Sequence, residues 1–251
     1  MRFVFAGDRQ LGVNILSFLI SKGYLPLALF VSEIEKASHS NELIEMSGLE
    51  SERIFVGTEF KSPSAIQLLS SLDLDYIIGI HFPYIVPKEV LGIPKIGFLN
   101  LHPAYLPFNK GWHTPTWAIL DGTKYGATLH FMGEELDAGD IILQKELNIQ
   151  PFDTADSLYQ KALKLEETVF KESLPLITSL SPPRIPQLTK GTSHTKKELK
   201  DVQEIDLEEP VTPMQLVKKL RALTTNNCQE AAYFIENGKK YFVQVHLGKI
   251  D

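Results

Sequence analysis

Short apolar runs separated by helix-length stretches constrain this chain more than any other feature of its sequence. RFVFA (2–6), Leu27–Val31, the residues around Ile54–Val56, DYIIGI (75–80) and IGFLNL (96–101) each read as a buried strand. Leu11–Ile20 and parts of 39–72 carry helical spacing between them. Strands and helices alternating in this way predict an α/β fold with a doubly wound, mostly parallel sheet. Ligands of such sheets gather outside the carboxyl ends of the strands. Here those ends carry Gly7 and Asp8, then His81 to Tyr84, then Asn100 to Pro103.

From residue 125 the pattern changes. YGATLHF and DIILQKEL alternate with period two and are joined by MGEELDAG, which predicts an antiparallel addition to the sheet. A long helix follows, with Thr154 as its cap and Leu158, Ala162, Leu165 and Val169 along one face. Residues 181–211 are polar and proline-containing and read as an extended connection across the surface. Residues 212–251 then form a small extension, a helix capped by Thr212 with Pro213 first, and a β-hairpin turning at Asn237-Gly238.

Bulk composition excludes several classes of function. A chain of 251 residues, 43% hydrophobic and 22% charged, can bury a sizeable core. No apolar run reaches the roughly 18 residues needed to cross a bilayer, and the start enters a strand without signal-peptide patterning, so a cytoplasmic location is expected. The single cysteine, Cys228, offers neither an internal disulfide nor a metal cluster. A net charge of -6, with the densest basic stretch KGTSHTKKELKD diluted by acids, argues against nucleic acid and leaves small anions open. Gly7 and Gly12 do not spell a dinucleotide fingerprint, and His194 matches no ligand set, so no metal is expected.

The segment FLNLHPAYLPFNKGW (98–112) holds the residues best suited to chemistry. Residues two apart on a strand share a face, so Asn100 and His102 project together while Leu99 and Leu101 face the other layer. Pro103 ends the strand there. A neutral imidazole can take a proton and an amide can donate to a developing oxyanion, a pairing suited to acyl transfer onto an amine.

FLNLHPAYLPFNKGWHTPTWAIL followed by YGATLHFMGEELDAGDII resembles the folate-dependent formyltransferases, over roughly residues 1–175. The shared features are N-x-H-x-x-x-x-P and a later D-x-G-D turn. The resemblance implies a Rossmann-like catalytic domain over 1–180 and a catalytic triad of Asn100, His102 and Asp137. It also implies N10-formyltetrahydrofolate as donor, with Phe82, Tyr84, Ile85 and Val86 of the loop HFPYIVP and Asp140 on the donor side.

HPAYLPFNKGWHTPTWAI, YGATLHFM and the ending RALTTNNCQEAAYFIENGKKYFV are most similar to the sugar N-formyltransferases, and the separate basic carboxyl-terminal domain of methionyl-tRNA formyltransferases is not found. The implied acceptor is a dTDP-amino-dideoxyhexose for O-antigen synthesis, with dTDP-4-amino-4,6-dideoxyglucose first and the 3-amino isomers next. Arg9, Lys110 and Arg221 are candidates for the pyrophosphate, Tyr233 and Tyr241 for stacking on thymine, and Trp112 and His113 for the sugar. A homodimer formed through the terminal hairpin is expected. A tRNA substrate, formyltetrahydrofolate hydrolysis and an inactive binding paralogue are the alternatives.

Overall fold

A computed structural model describes residues 1–33 and 39–250. Residues 34–38 of the expected catalytic domain and Asp251 of the expected extension therefore lie outside the described residues. The elements begin with β1 (Phe3–Gly7), α1 (Arg9–Ser21), β2 (Ala28–Val31), α2 (Ser40–Ser47), β3 (Ile54–Val56), α3 (Pro63–Ser71) and β4 (Tyr76–Ile80). They continue with α4 (Lys88–Leu91), β5 (Gly97–His102), β6 (Lys110–Gly111), α5 (Thr114–Asp121), β7 (Tyr125–Phe131), β8 (Ile141–Leu147) and α6 (Ala155–Thr178). The chain closes with β9 (Ser193–His194), α7 (Leu199–Gln203), α8 (Pro213–Ala222), β10 (Ala232–Glu236) and β11 (Lys239–Val243).

The main sheet has seven strands in the order β3-β2-β1-β4-β5-β7-β8. The strands from β3 to β5 run parallel, and β7 lies antiparallel to β5. The connections reverse direction between β1 and β4, which is where a doubly wound sheet opens a crevice at its carboxyl edge. Strands β1, β2 and β4 are buried along their whole length, which explains their unbroken apolar runs.

The chain forms two compact units. The first comprises residues 1–102, 128–144 and 166–187, and the second residues 103–127, 145–165 and 188–251. In the first, Phe30 stacks on Phe60 with ring centroids 5.0 Å apart and meets Phe55 edge-on at 5.6 Å, within a core that includes Val4, Ile77 and Phe98. Each such side chain contributes about 1.5–3 kcal/mol through removal from water. The first unit also needs Gly79, because a Cβ there would lie 2.9 Å from the Phe98 ring and 3.2 Å from the Leu99 carbonyl oxygen. That close approach brings β4 against the strand carrying Asn100, with Gly79 and Asn100 as register partners.

In the second unit Ala118, Ile119, Tyr125, Leu158, Ala162 and Ala222 form one core cluster, and Leu199, Leu223 and Ala232 another. Thr212 caps α8 with Pro213 first, as the sequence suggested, and Gln215 completes a capping box with it. Asn237 and Gly238 both take positive φ, 50° and 72°, the two left-handed positions of a type I′ turn. One expectation is corrected. The 181–211 connection is not extended throughout, because it contains α7, where Leu199 is buried and Gln203 donates to the Gln229 and Ala231 carbonyls at 2.8 and 3.0 Å. No helix among the described residues is long and apolar enough to cross a membrane.

Candidate active site

Strand β5 ends at His102, and the first unit gathers the chemistry there. Asn100 lies opposite His130 of β7 in the antiparallel register, and its Nδ2 stands 3.2 Å from His130 Nε2. His130 Nδ1 is 2.8 Å from the Phe131 carbonyl oxygen, which can only accept. Nδ1 therefore carries the proton and Nε2 accepts from the Asn100 amide. This network orients the carboxamide with its nitrogen toward His130.

Asp137 comes from the loop between β7 and β8. Its carboxylate lies 3.6 Å from His102 Nε2 and 3.7 Å from His130 Nε2, and its side chain is only 9% exposed. The two imidazoles meet edge to face with centroids 6.3 Å apart. The three side chains expected from the sequence thus share one cluster with a fourth, His130. A charge pair about 4 Å apart interacts by about 1 kcal/mol in water and about 4 kcal/mol at an effective dielectric of about 20. Burial of Asp137, His102 and His130 accordingly gives this carboxylate leverage over a charge arising on either imidazole.

The loop after β4 begins at His81, which adopts φ 53° and places Nε2 3.0 Å from Oε1 of the fully buried Glu166. Of the residues expected on the donor side, three also pack against the core. Phe82 sits 5.4 Å from Phe60 and 5.1 Å from Tyr84, Val86 is buried, and the Tyr84 hydroxyl accepts from the Glu33 amide at 3.2 Å. Their aromatic and branched side chains gain more by joining the Phe30 cluster than by lying open. Ile85 alone faces outward, 85% exposed. Asp140 is half-exposed, with Arg184 Nη1 at 3.8 Å. Arg9 opens α1 with φ 60°, and its amide donates to the Asp8 cap at 2.8 Å.

The other expected substrate residues belong to the second unit. Lys110 lies in β6, where its amide donates to the Thr192 carbonyl at 3.0 Å. Trp112 is 45% exposed, with the Lys196 ammonium 5.2 Å from its ring. His113 faces Glu230 at 3.5 Å, and this contact holds the Glu230 carboxyl below its ordinary range despite burial. Arg221, expected at the pyrophosphate, bonds backbone, its Nε to the Asp153 carbonyl at 2.7 Å and its Nη2 to the Gln150 carbonyl at 2.8 Å. Burial lowers its pKa, an effect Asp153 opposes. The hairpin tyrosines expected to stack on a base each have a neighbour on the ring. Lys240 Nζ lies 3.3 Å over Tyr233, whose hydroxyl donates to Glu204 at 3.0 Å, and Tyr241 stacks on Phe234 at 5.4 Å. The Glu204 bond raises the Tyr233 pKa above its usual value. Among the described residues no group of three or more His, Cys, Asp or Glu side chains is placed to hold a metal ion.

Residues 31–174 match the family described as formyl transferase, and residues 198–249 match the N-formyltransferase dimerization C-terminal domain. The chain belongs to the formyl transferase family. This formyltransferase is 31% identical, over 69% of its length and 73% of the relative's, to a dTDP-4-amino-4,6-dideoxyglucose formyltransferase of Mycobacterium bovis. It is 32% identical to a methionyl-tRNA formyltransferase of Clostridioides difficile, covering 73% of this chain and 62% of that protein. A crystal structure of a 4-N formyltransferase from Francisella tularensis superposes with a TM-score of 0.84 at 26% identity, over 99% of this chain and 98% of the other.

His130 was legible as a polar residue within the apolar strand YGATLHF, the same signal that marks Asn100 and His102. Only the antiparallel register assigns it to Asn100. Gln187, whose amide reaches the Asp137 loop, carries no comparable signal, since it stands in a polar, proline-containing stretch.

Proposed function

We propose that this formyltransferase moves a formyl group from N10-formyltetrahydrofolate to the amino group of a dTDP-amino-dideoxyhexose, with dTDP-4-amino-4,6-dideoxyglucose the favoured acceptor. The cluster of Asn100, His102 and Asp137 at the end of β5 carries this reading. The named acceptor of the Mycobacterium bovis relative and the match to an N-formyltransferase dimerization domain over 198–249 support a sugar over a tRNA. A formal charge of -6 points the same way, since a tRNA-sized polyanion is met by basic surface.

The donor supplies a formyl carbon that an amine can attack. The loop after β4 suits a flat heteroaromatic ring: it leaves the strand paired with β5, is anchored by Phe82, Tyr84 and Val86, and keeps Ile85 exposed. Its backbone, more than its side chains, would meet that ring. As the amine nitrogen bonds to the formyl carbon, the bond from that carbon to N10 of the donor breaks; the amine gives up one proton, which His102 would accept and pass to the departing N10 of tetrahydrofolate. Asn100, oriented by His130, donates to the oxygen on which negative charge develops. Asp137 stabilises the imidazolium while the proton rests on His102. The reading assigns this chemistry to residues 1–180 and the pairing of two copies to 212–251, where Ile235, Tyr241 and Phe242 are exposed on the hairpin, with 181–211 joining them.

Incubation with N10-formyltetrahydrofolate and a panel of dTDP- and UDP-aminosugars tests the reading, with product mass as readout. Gain of one formyl group on the dTDP-4-amino sugar is expected. Transfer only to a 3-amino isomer would redirect the acceptor, whereas transfer to charged initiator tRNA, or formate release without a sugar, would overturn it.

A further inference from the structure

Asp137 adopts φ 49°, a left-handed conformation uncommon outside glycine, which aspartate tolerates better than most residues and which its surroundings here hold in place. The surroundings are visible. Both hydrogens of the Gln187 amide are used on this one loop, Nε2 donating to the Asp137 carbonyl at 2.9 Å and to the Gly139 carbonyl at 2.8 Å. Gln187 is itself held by the segment that follows α6. Ile185 exchanges two backbone hydrogen bonds with Ile141 at 2.8 and 3.0 Å, and Arg184 lies 3.6 Å over the Phe131 ring while donating to the Ile96 carbonyl at 2.6 Å. From the other side the loop is pressed onto β7, since a Cβ at Gly139 would fall 1.9 Å from the Phe131 carbonyl oxygen. The loop is therefore gripped between a strand end and a strap, with one side chain bonding its turn at two points.

We propose that Gln187 is a positioning residue that sets the Asp137 carboxylate between His102 and His130, an inference resting on the function proposed above. Leucine at 187, one carbon shorter than glutamine and matched in length by asparagine, removes both donors. The two bonds that tie the Asp137 and Gly139 carbonyls to one side chain are then lost, and the turn is expected to loosen. Because the carboxylate stands 3.6 and 3.7 Å from the two imidazoles, a shift of about an ångström removes it from either. Misplacement on this scale can lower a rate by about a hundredfold. Substrate binding is not expected to follow, because Gln187 itself bonds only to the loop backbone.

The test compares Gln187→Leu, Gln187→Asn and Asp137→Asn with the parent protein for kcat, KM of the aminosugar, melting temperature and amide hydrogen exchange of residues 132–140. Gln187→Leu is expected to lower kcat at least tenfold with KM changed less than threefold, and to speed exchange in the loop while leaving β5 protected. Gln187→Asn, one methylene short, is expected to fall between. Parent-like kcat and loop exchange in Gln187→Leu would overturn the proposal, as would a KM rising in step with the loss of turnover. If Asp137→Asn itself turns over like the parent, the catalytic reading fails and this proposal with it. If Asp137→Asn is impaired and Gln187→Leu is not, the positioning role alone is lost. Should Gln187→Leu not fold, Gln187→Asn decides by the same measurements.

Discussion

His194 meets Asp121 at 2.8 Å and Glu198 at 2.9 Å, whereas Asp137 stands 3.6 Å from His102 and 3.7 Å from His130. The first cluster lies in the second unit, and its imidazole is also stacked on Trp117, with centroids 3.8 Å apart and planes 6° from parallel. Both ring nitrogens of His194 are engaged at ordinary hydrogen-bond lengths, so the ring pins the segment after β9 to the end of α5. In the first unit one carboxylate lies within 4 Å of two imidazoles, near enough to act on a charge on either. The lesson is that imidazole and carboxylate side by side do not define a site. His194, held between two carboxylates and an indole ring, is a staple, and a carboxylate shared by two imidazoles at a strand end is a candidate catalyst.

The largest effects should come from the cluster at the end of β5. His102→Asn and Asp137→Ala are expected to lower kcat by about 10²–10⁴, and Asn100→Ala by about 10²–10³, with melting temperatures near the parent's. Turnover near the parent's in two of the three would remove the distinction between the clusters.

An intermediate effect, on stability instead of rate, is expected at the pin. His194→Gln loses at least one of two bonds to carboxylates and should destabilise the fold by about 1–3 kcal/mol in denaturant titration, with kcat within threefold of the parent. A collapse of kcat without loss of stability would place His194 among the reacting groups. The smallest effect is in acid. The His194 bond holds the Glu198 carboxyl below its ordinary value. A depressed carboxylate stabilises the fold above its unfolded pKa, about 4.3, and that stabilisation fades as pH falls through the lower folded value. Glu198→Gln should therefore flatten the loss of stability below about pH 4, and an unchanged acid limb would contradict the pin.

Much of the fold was legible because its signals are local. An unbroken apolar run such as FVFAG needs cover on both faces wherever it lies, Thr212 caps the helix that starts beside it, and Asn237-Gly238 favours positive φ in any hairpin. α7 was missed because its burial depends on Leu223 and Ala232, outside any local window. The cluster at β5 was legible in part. Asn100 and His102 share one strand, and the family resemblance supplied Asp137. His130 required knowing that β7 runs antiparallel to β5 in a register that sets it opposite Asn100. In the loop after β4 the sequence did not show that Phe82 and Tyr84 also cover the core, because their contacts with Phe30 and Phe60 come from distant segments.

By itself the sequence determined the alternation of buried strands and helices, the caps and turns, and the delivery of an amide and an imidazole to the end of one strand. These follow from side-chain periodicity and backbone preference over a few residues. Tertiary structure alone decided which distant groups meet them: His130 30 residues from Asn100, Gln187 50 residues from Asp137, and Glu166 85 residues from His81. Such meetings depend on the register of neighbouring strands and on how the segment after a long helix returns to the sheet, neither of which is encoded in any short stretch of chain.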